Sequence, residues 1–139
     1  MRYYLDTNIL IFVLLRKGRS ELSVEVQHLL NDYCNHFYVS SVAVQELIHT
    51  FKIGGIRDTF HKSLSALLDA IEDSGIEIVP MNKFHLQRYA LLETIAGHKD
   101  PNDHIIISQA ISDKIPIISS DRKFKEYVRQ GLGFIYNKR

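Results

Sequence analysis

Four acidic residues stand at the ends of β-prone segments or near the beginnings of helical ones. They are Asp6 in "RYYLDTNILIFVLL", Glu46 in "SVAVQEL", Asp103 in "HKDPNDHIIISQA" and Asp121 in "IPIISSD". Asp6 interrupts an apolar run, and an aspartate is seldom buried unless it is paired or binds a metal. Each acid also has an ordinary reading by itself. Asp6 could turn the chain or cap the next helix, and Glu46 could be a helix-surface acid. Asp100 and Asp103 could cap a helix, and Asp121 could be a loop acid. If the four converge they repel one another, and a divalent cation relieves that repulsion. Oxygen ligands without a Cys or His cluster suit Mg²⁺ or Mn²⁺, and such a cleft suits phosphodiester chemistry.

Convergence needs elements that deliver the acids to one rim. Five β-prone segments are "RYYLD", "HFYVSS" (36–41), "IEIVP" (76–80), "PIISSD" (116–121) and "GFIYN" (133–137), the last an edge strand. Helical periodicity lies between them. Leu22, Val26, Leu29, Leu30 and Tyr33 form one stripe, with Ser20 or Ser23 as its cap. "VAVQELIHTF" forms a helix after the second strand. Ile56, Phe60, Leu64, Leu67, Leu68 and Ile71 form a longer stripe. Phe84 to Ala96 predicts a helix stopped by Gly97, and Asp103 to Ser112 another, with Asp100 and Asn102 as cap candidates. Strands alternating with helices predict an α/β fold with a central, mostly parallel sheet of about five strands and helices on both faces. Ligands in such sheets bind outside the carboxyl ends of the strands, where Asp6 and Asp121 fall.

The chain has 139 residues, the size of one domain spanning 1–139, with 45% hydrophobic and 24% charged residues. It shows no repeat, low-complexity segment or Pro/Gly-rich linker. The single cysteine, Cys34, excludes an internal disulfide and reads as a small core or interface residue, which suits a reducing, cytoplasmic setting. No apolar run reaches the roughly 18 to 20 residues that cross a membrane, and the N-terminal run lacks the plan of a signal peptide. The net charge of +1 selects no partner, because local patches matter more than the total.

Taken in order, "LDTN", "SVAVQEL", "KDPND" and "ISSDRKF" resemble the PIN-domain ribonucleases, and among them the VapC-type toxins of toxin–antitoxin pairs. The resemblance spans essentially the whole chain and rests most on Asp6-Thr7-Asn8 and "DPND". It implies a PIN-like three-layer sandwich and a Mg²⁺- or Mn²⁺-dependent endoribonuclease leaving 5′-phosphate and 3′-hydroxyl ends. By the same likeness Asp6, Glu46, Asp103 and Asp121 are the catalytic, metal-binding acids. Asp100 is an accessory acid or a cap, and Thr7, Asn8 and Ser119 orient the carboxylates. Many relatives carry an aromatic residue where Asn102 stands and Arg where His104 stands. A cognate antitoxin and a homodimer are also implied.

RNA approaching an acidic cleft calls for cations at its rim, and Lys99, Arg122, Lys123 and Lys125 flank the acidic motifs. Arg16, Lys17 and Arg19 form a second basic run with a weaker claim. The seven histidines lack metal-ligand spacing; His98 and His104 lie nearest the acids and read as structural. Aspartate-nucleophile phosphatases would need a second Asp where Asn8 stands. A receiver-like domain would need an acidic pair after the first strand and an Asp ending the third. A PIN-like module that only binds RNA or a partner would tolerate a missing acid, and none is missing. A housekeeping PIN nuclease outside any toxin–antitoxin pair is the remaining alternative.

Overall fold

The computed structural model describes residues 1–15, 18–54 and 63–139. Five strands form one sheet: β1 (Arg2–Leu5), β2 (His36–Ser40), β3 (Ile76–Val79), β4 (Ile117–Ser119) and β5 (Phe134–Tyr136). Their order is β3-β2-β1-β4-β5 and every pairing is parallel. Among the described residues, six α-helices connect them: α1 (Thr7–Leu14), α2 (Val24–Asn31), α3 (Ser41–Lys52), α4 (Leu64–Asp73), α5 (Lys83–Leu91) and α6 (Pro101–Asp113). A run of 3₁₀ turns covers Arg122–Gln130, and a shorter one Gly18–Glu21. The result is the three-layer α/β sandwich expected from the alternation of elements.

The strand order decides where a site can form. From β1 the chain steps outward through β2 to β3, then crosses back to β4 and continues outward the other way to β5. Right-handed crossovers in opposite directions place α1 to α4 on one face and α5, α6 and the 3₁₀ segment on the other. The reversal lies between β1 and β4, where connections leaving opposite faces open a crevice. β1 and β4 are also the best-buried strands. Leu5, Ile117 and Ile118 are wholly buried, as are Ile9 and Leu10 on α1. Each such side chain contributes about 1.5–3 kcal/mol relative to exposure, so the crevice rests on the best-buried strands of the sheet.

Several expectations change on contact with the structure. The fifth helix ends at Leu91, not Ala96. Beyond it the backbone is claimed by the 3₁₀ segment: the Glu93 amide donates to Gln130 Oε1 at 2.9 Å and the Ile95 amide to Tyr127 Oη at 3.2 Å. Tyr33 leaves its stripe, because α2 stops at Asn31, and it is fully exposed. Cys34 is exposed in the turn before β2, not in the core, and its carbonyl accepts a hydrogen bond from the amino terminus. Of the two cap candidates for α2, Ser23 performs the task, accepting from the Val26 amide. Arg16, Lys17, Ile56 and Phe60 lie outside the described residues.

Candidate metal centre

Asp6 answers both of its readings at once. It caps α1, its Oδ1 accepting from the Thr7 amide at 2.8 Å, and it stands at the carboxyl end of β1. Only 3% of it is exposed. Its other oxygen, Oδ2, accepts from Ser119 Oγ at 2.7 Å and Asn8 Nδ2 at 3.0 Å. Ser119 ends β4 and so ties the two strands at the switch point. The Ser119 hydroxyl also accepts from the Asp121 amide at 3.0 Å. Asp121 then caps the 3₁₀ segment through the Lys123 amide at 2.9 Å. Asn8 Oδ1 accepts from the Ser120 amide, which fixes the loop after β4 against α1.

The other two acids come from helix beginnings. Glu46 lies in the second turn of α3, and Thr7 Oγ1 donates to its Oε1 at 3.1 Å. Asp103 lies in the first turn of α6, which Asp100 caps by accepting from the Asn102 amide at 3.0 Å. The remaining polar contact to Asp103 is from His98, whose Nε2 is 3.0 Å from Oδ2. Gly97, at φ +86°, makes the turn that brings His98 there. The other ring nitrogen of His98 meets Tyr127 Oη at 2.8 Å. One ligand atom each from His98, Asp103 and Asp121 lies within 4.8 Å of the others. A cleft of about 250 Å³ lined by Gln45, Glu46, His49, Thr50 and Asn102 opens beside Glu46.

The electrostatics are those of anions held together without a counter-charge. Burial first, then the proximity of Asp103 and Asp121, raises the Asp6 carboxyl to about 7. Burial, followed by Asp100, Asp103 and Asp6, raises Glu46 to about 7. Asp103 also reaches about 7, through burial and then Asp100 and Asp121. Burial lowers the pKa of His98, favouring its neutral form. Among the described residues no Lys or Arg forms an ion pair with these acids. Lys123 comes nearest in effect, partly offsetting the charge on Asp103 while its Nζ donates to the Gly97 carbonyl at 3.0 Å. Buried and half-buried oxygens with unrelieved negative charge fit a divalent cation well. Asp6, Glu46, Asp103 and Asp121 could hold it, with His98 able to add a nitrogen.

The sequence profile of the PIN domain matches residues 3–130. The chain belongs to the PIN domain family. No curated protein sequence matches it. Its fold is shared by a chain of VapBC2 from Rickettsia felis, bound to a DNA fragment from the promoter, with 21% identity, TM-score 0.70, and coverage of 99% of this chain and 100% of that one. A chain of VapBC-1 from nontypeable Haemophilus influenzae gives 21% identity and TM-score 0.67, covering 98% of each. A chain of VapBC-5 from Mycobacterium tuberculosis, described as a member of the VapBC family of toxin–antitoxin systems, gives 18% and 0.62, covering 97% and 98%.

In this PIN domain the two histidines read from the sequence as structural, His98 and His104, both stand beside the site. His98 was set aside for want of metal spacing, yet it contacts Asp103 directly. The clue was its place five residues upstream of Asp103 in "HKDPND", just after a glycine. His104 is buried as a support, its Nε2 bonded to the His98 carbonyl at 2.9 Å. Asn137 is wholly buried beneath the loop, donating to Ser120 Oγ at 2.8 Å and accepting from the Ser23 amide at 2.7 Å; no local pattern marked it. Lys99, Arg122 and Lys125 are exposed. Among the described residues, no helix is long and apolar enough to cross a membrane.

Proposed function

We propose that this chain is a metal-dependent endoribonuclease, using Mg²⁺ or Mn²⁺, and the toxin of a type II toxin–antitoxin pair. The observation that carries the reading is the closeness of Asp103 and Asp121, with ligand atoms within 4.8 Å of each other and of His98. Asp6 and Glu46 support it, each raised to about 7 in part by the charge of Asp103. Among the described residues no Lys or Arg is paired to any of the four. Asp6, Glu46, Asp103 and Asp121 would hold the metal. A divalent cation bound there polarises a phosphate and lowers the pKa of an attacking water.

The chain's own residues supply preorganisation. Ser119 and Asn8 fix one Asp6 oxygen and the Thr7 amide the other. Thr7 aims Glu46, and His98 aims Asp103. Carboxylates locked by such contacts need no reorganisation when charge develops in the reaction. Asp100 stays outside this set as the cap of α6, adding negative potential. Lys123 brings a positive charge to the same rim for an incoming phosphodiester.

The PIN family and the likeness to VapBC chains, one described as part of a toxin–antitoxin system, support an antitoxin partner. A homodimer and a cytoplasmic location belong to the same reading. The test is purified protein on structured RNA with Mg²⁺, Mn²⁺ or EDTA, beside Asp6→Asn. Cleavage that requires the metal and vanishes in the variant is expected. Cleavage that persists in both EDTA and Asp6→Asn overturns the reading.

A further inference from the structure

The charge of this chain is unevenly distributed. Residues 122–139 hold Arg122, Lys123, Lys125, Arg129, Lys138 and Arg139 against a single acid, Glu126, a net of +5. The whole chain nets +1, so residues 1–121 net −4. Two of the six cations are engaged elsewhere: Lys123 at the Gly97 carbonyl, and Arg139 in an ion pair with Glu21. Three others, Arg122, Lys125 and Lys138, line an open groove between the 3₁₀ segment and edge strand β5. Its floor is apolar and aromatic: Val128, Phe134 and Tyr136. Its volume is about 670 Å³ and no acid lines it, within the roughly 300–1,000 Å³ of sites that take small-molecule-sized groups. Among the described residues neither Lys125 nor Lys138 has a carboxylate partner.

The arrangement has a specific shape. The Arg122 guanidinium lies 5.6 Å from the Tyr136 ring centroid, and its Nε donates to Tyr136 Oη at 3.1 Å. This pins a flat cationic plane beside an aromatic one. Flat Arg and aromatic faces stack unpaired bases, and flanking lysines follow a phosphate backbone. A duplex keeps its bases stacked inside and offers this floor nothing. Arg122 directly follows Asp121, so the groove begins one residue from the acidic rim.

We propose that this groove binds single-stranded RNA and leads the strand to the acidic site. The inference rests on the nuclease reading for its destination, while binding in the groove stands by itself. Strand affinity belongs to Arg122, Lys125, Lys138 and Tyr136, and chemistry to the carboxylates.

The test is binding of a fluorescein-labelled 12-nucleotide oligouridine in EDTA, where no metal-dependent cleavage occurs, at several salt concentrations. A 12-base-pair RNA duplex serves as comparison. The variants are Lys125→Gln/Lys138→Gln and Tyr136→Phe, both checked for unchanged thermal unfolding. The lysine variant is expected to bind at least about tenfold more weakly, with a salt slope shallower by about 1.4, two single-strand phosphate contacts. Tyr136→Phe, which keeps the ring and loses the tether to Arg122, is expected to weaken binding about threefold with an unchanged salt slope. Wild-type preference for duplex, or an unchanged slope in the lysine variant, overturns the proposal. Metal-dependent cleavage with unaltered strand binding in the variants would sink the groove alone and leave the nuclease reading intact. Groove-dependent binding without any metal-dependent cleavage would do the reverse.

Discussion

Helix α6 carries an aspartate near each end, and the two live in opposite circumstances. Asp103, in the first turn, lies where the helix dipole favours an anion. It is nevertheless raised to about 7, because burial and the charges of Asp100 and Asp121 outweigh that help. Asp113, in the last turn, lies where the dipole disfavours an anion. There Tyr4 Oη donates to Oδ2 at 2.5 Å and His85 Nε2 lies 2.9 Å from Oδ1. Gln109 Nε2 donates to the same Tyr4 oxygen, and the Asn82 amide donates to His85 Nδ1 within a capping box. Asp113 has a partner on each oxygen and joins β1, α5 and α6, although Gln109 Oε1 is buried beside it without one. Among the described residues, Asp103 has no Lys or Arg paired to it. A carboxylate with both oxygens hydrogen-bonded serves the fold, and acids left without a counter-charge are poised for something from outside.

The largest expected effect separates the two ends by activity. Asp103→Asn should lower RNA cleavage about a thousand-fold, matching the several kcal/mol that metal-ion charge stabilisation supplies. Asp113→Asn should leave cleavage by the folded protein within about threefold. Equal losses in both, measured well below the unfolding temperature, would erase the distinction.

Stability should show the mirror image. Asp113→Ala leaves the Tyr4 hydroxyl and His85 without their acceptor and should cost about 3 kcal/mol in urea unfolding. Asp103→Ala in EDTA at pH 8 should cost nothing or stabilise, since it relieves repulsion.

Metal and pH sharpen the same contrast. Asp6, Glu46 and Asp103 titrate near 7 in the folded chain but at 3.8 or 4.5 in ordinary surroundings. Between those values the folded state holds more protons than the unfolded one. These acids therefore make metal-free stability fall as pH rises from about 4 to about 7. Neutral His98, its pKa lowered by burial, opposes that slope on the acid side. Thermal unfolding in EDTA should lose part of its pH dependence in Asp6→Asn. Mn²⁺ at a hundred times its dissociation constant should add about 2.7 kcal/mol at pH 8 and much less at pH 5, where the acids are protonated. A metal effect of equal size at both pH values would contradict the carboxylate assignment.

The smallest effect concerns the ring that orients Asp103. His98→Ala should reduce activity about 10- to 100-fold, the usual cost of losing a partner that orients a ligand. His98→Asn, able to donate to the same oxygen, should recover part of it. Loss as severe as in Asp103→Asn would make His98 a ligand instead.

The alternation of apolar strands and helical stripes in the sequence carried the sheet and its flanking helices, because both periods are local properties of the chain. The acids were legible for a related reason: Asp6 interrupts a buried run and Asp121 ends one, so their positions follow from where strands stop. What escaped depended on distant partners. The end of α5 at Leu91 is set by Gln130 and Tyr127, which take the backbone donors that would have continued it.

By itself, then, the sequence determined the element types and the acids at their ends. Tertiary structure alone decided that β1 and β4 are neighbours at the switch point, that Ser119 joins Asp6 to Asp121, and that Asn137 lies beneath the loop after β4. It also sorted the charges, turning scattered C-terminal cations into one groove. Periodicity is written residue by residue, whereas burial, repulsion and a shared hydrogen bond exist only between segments that the fold has brought together.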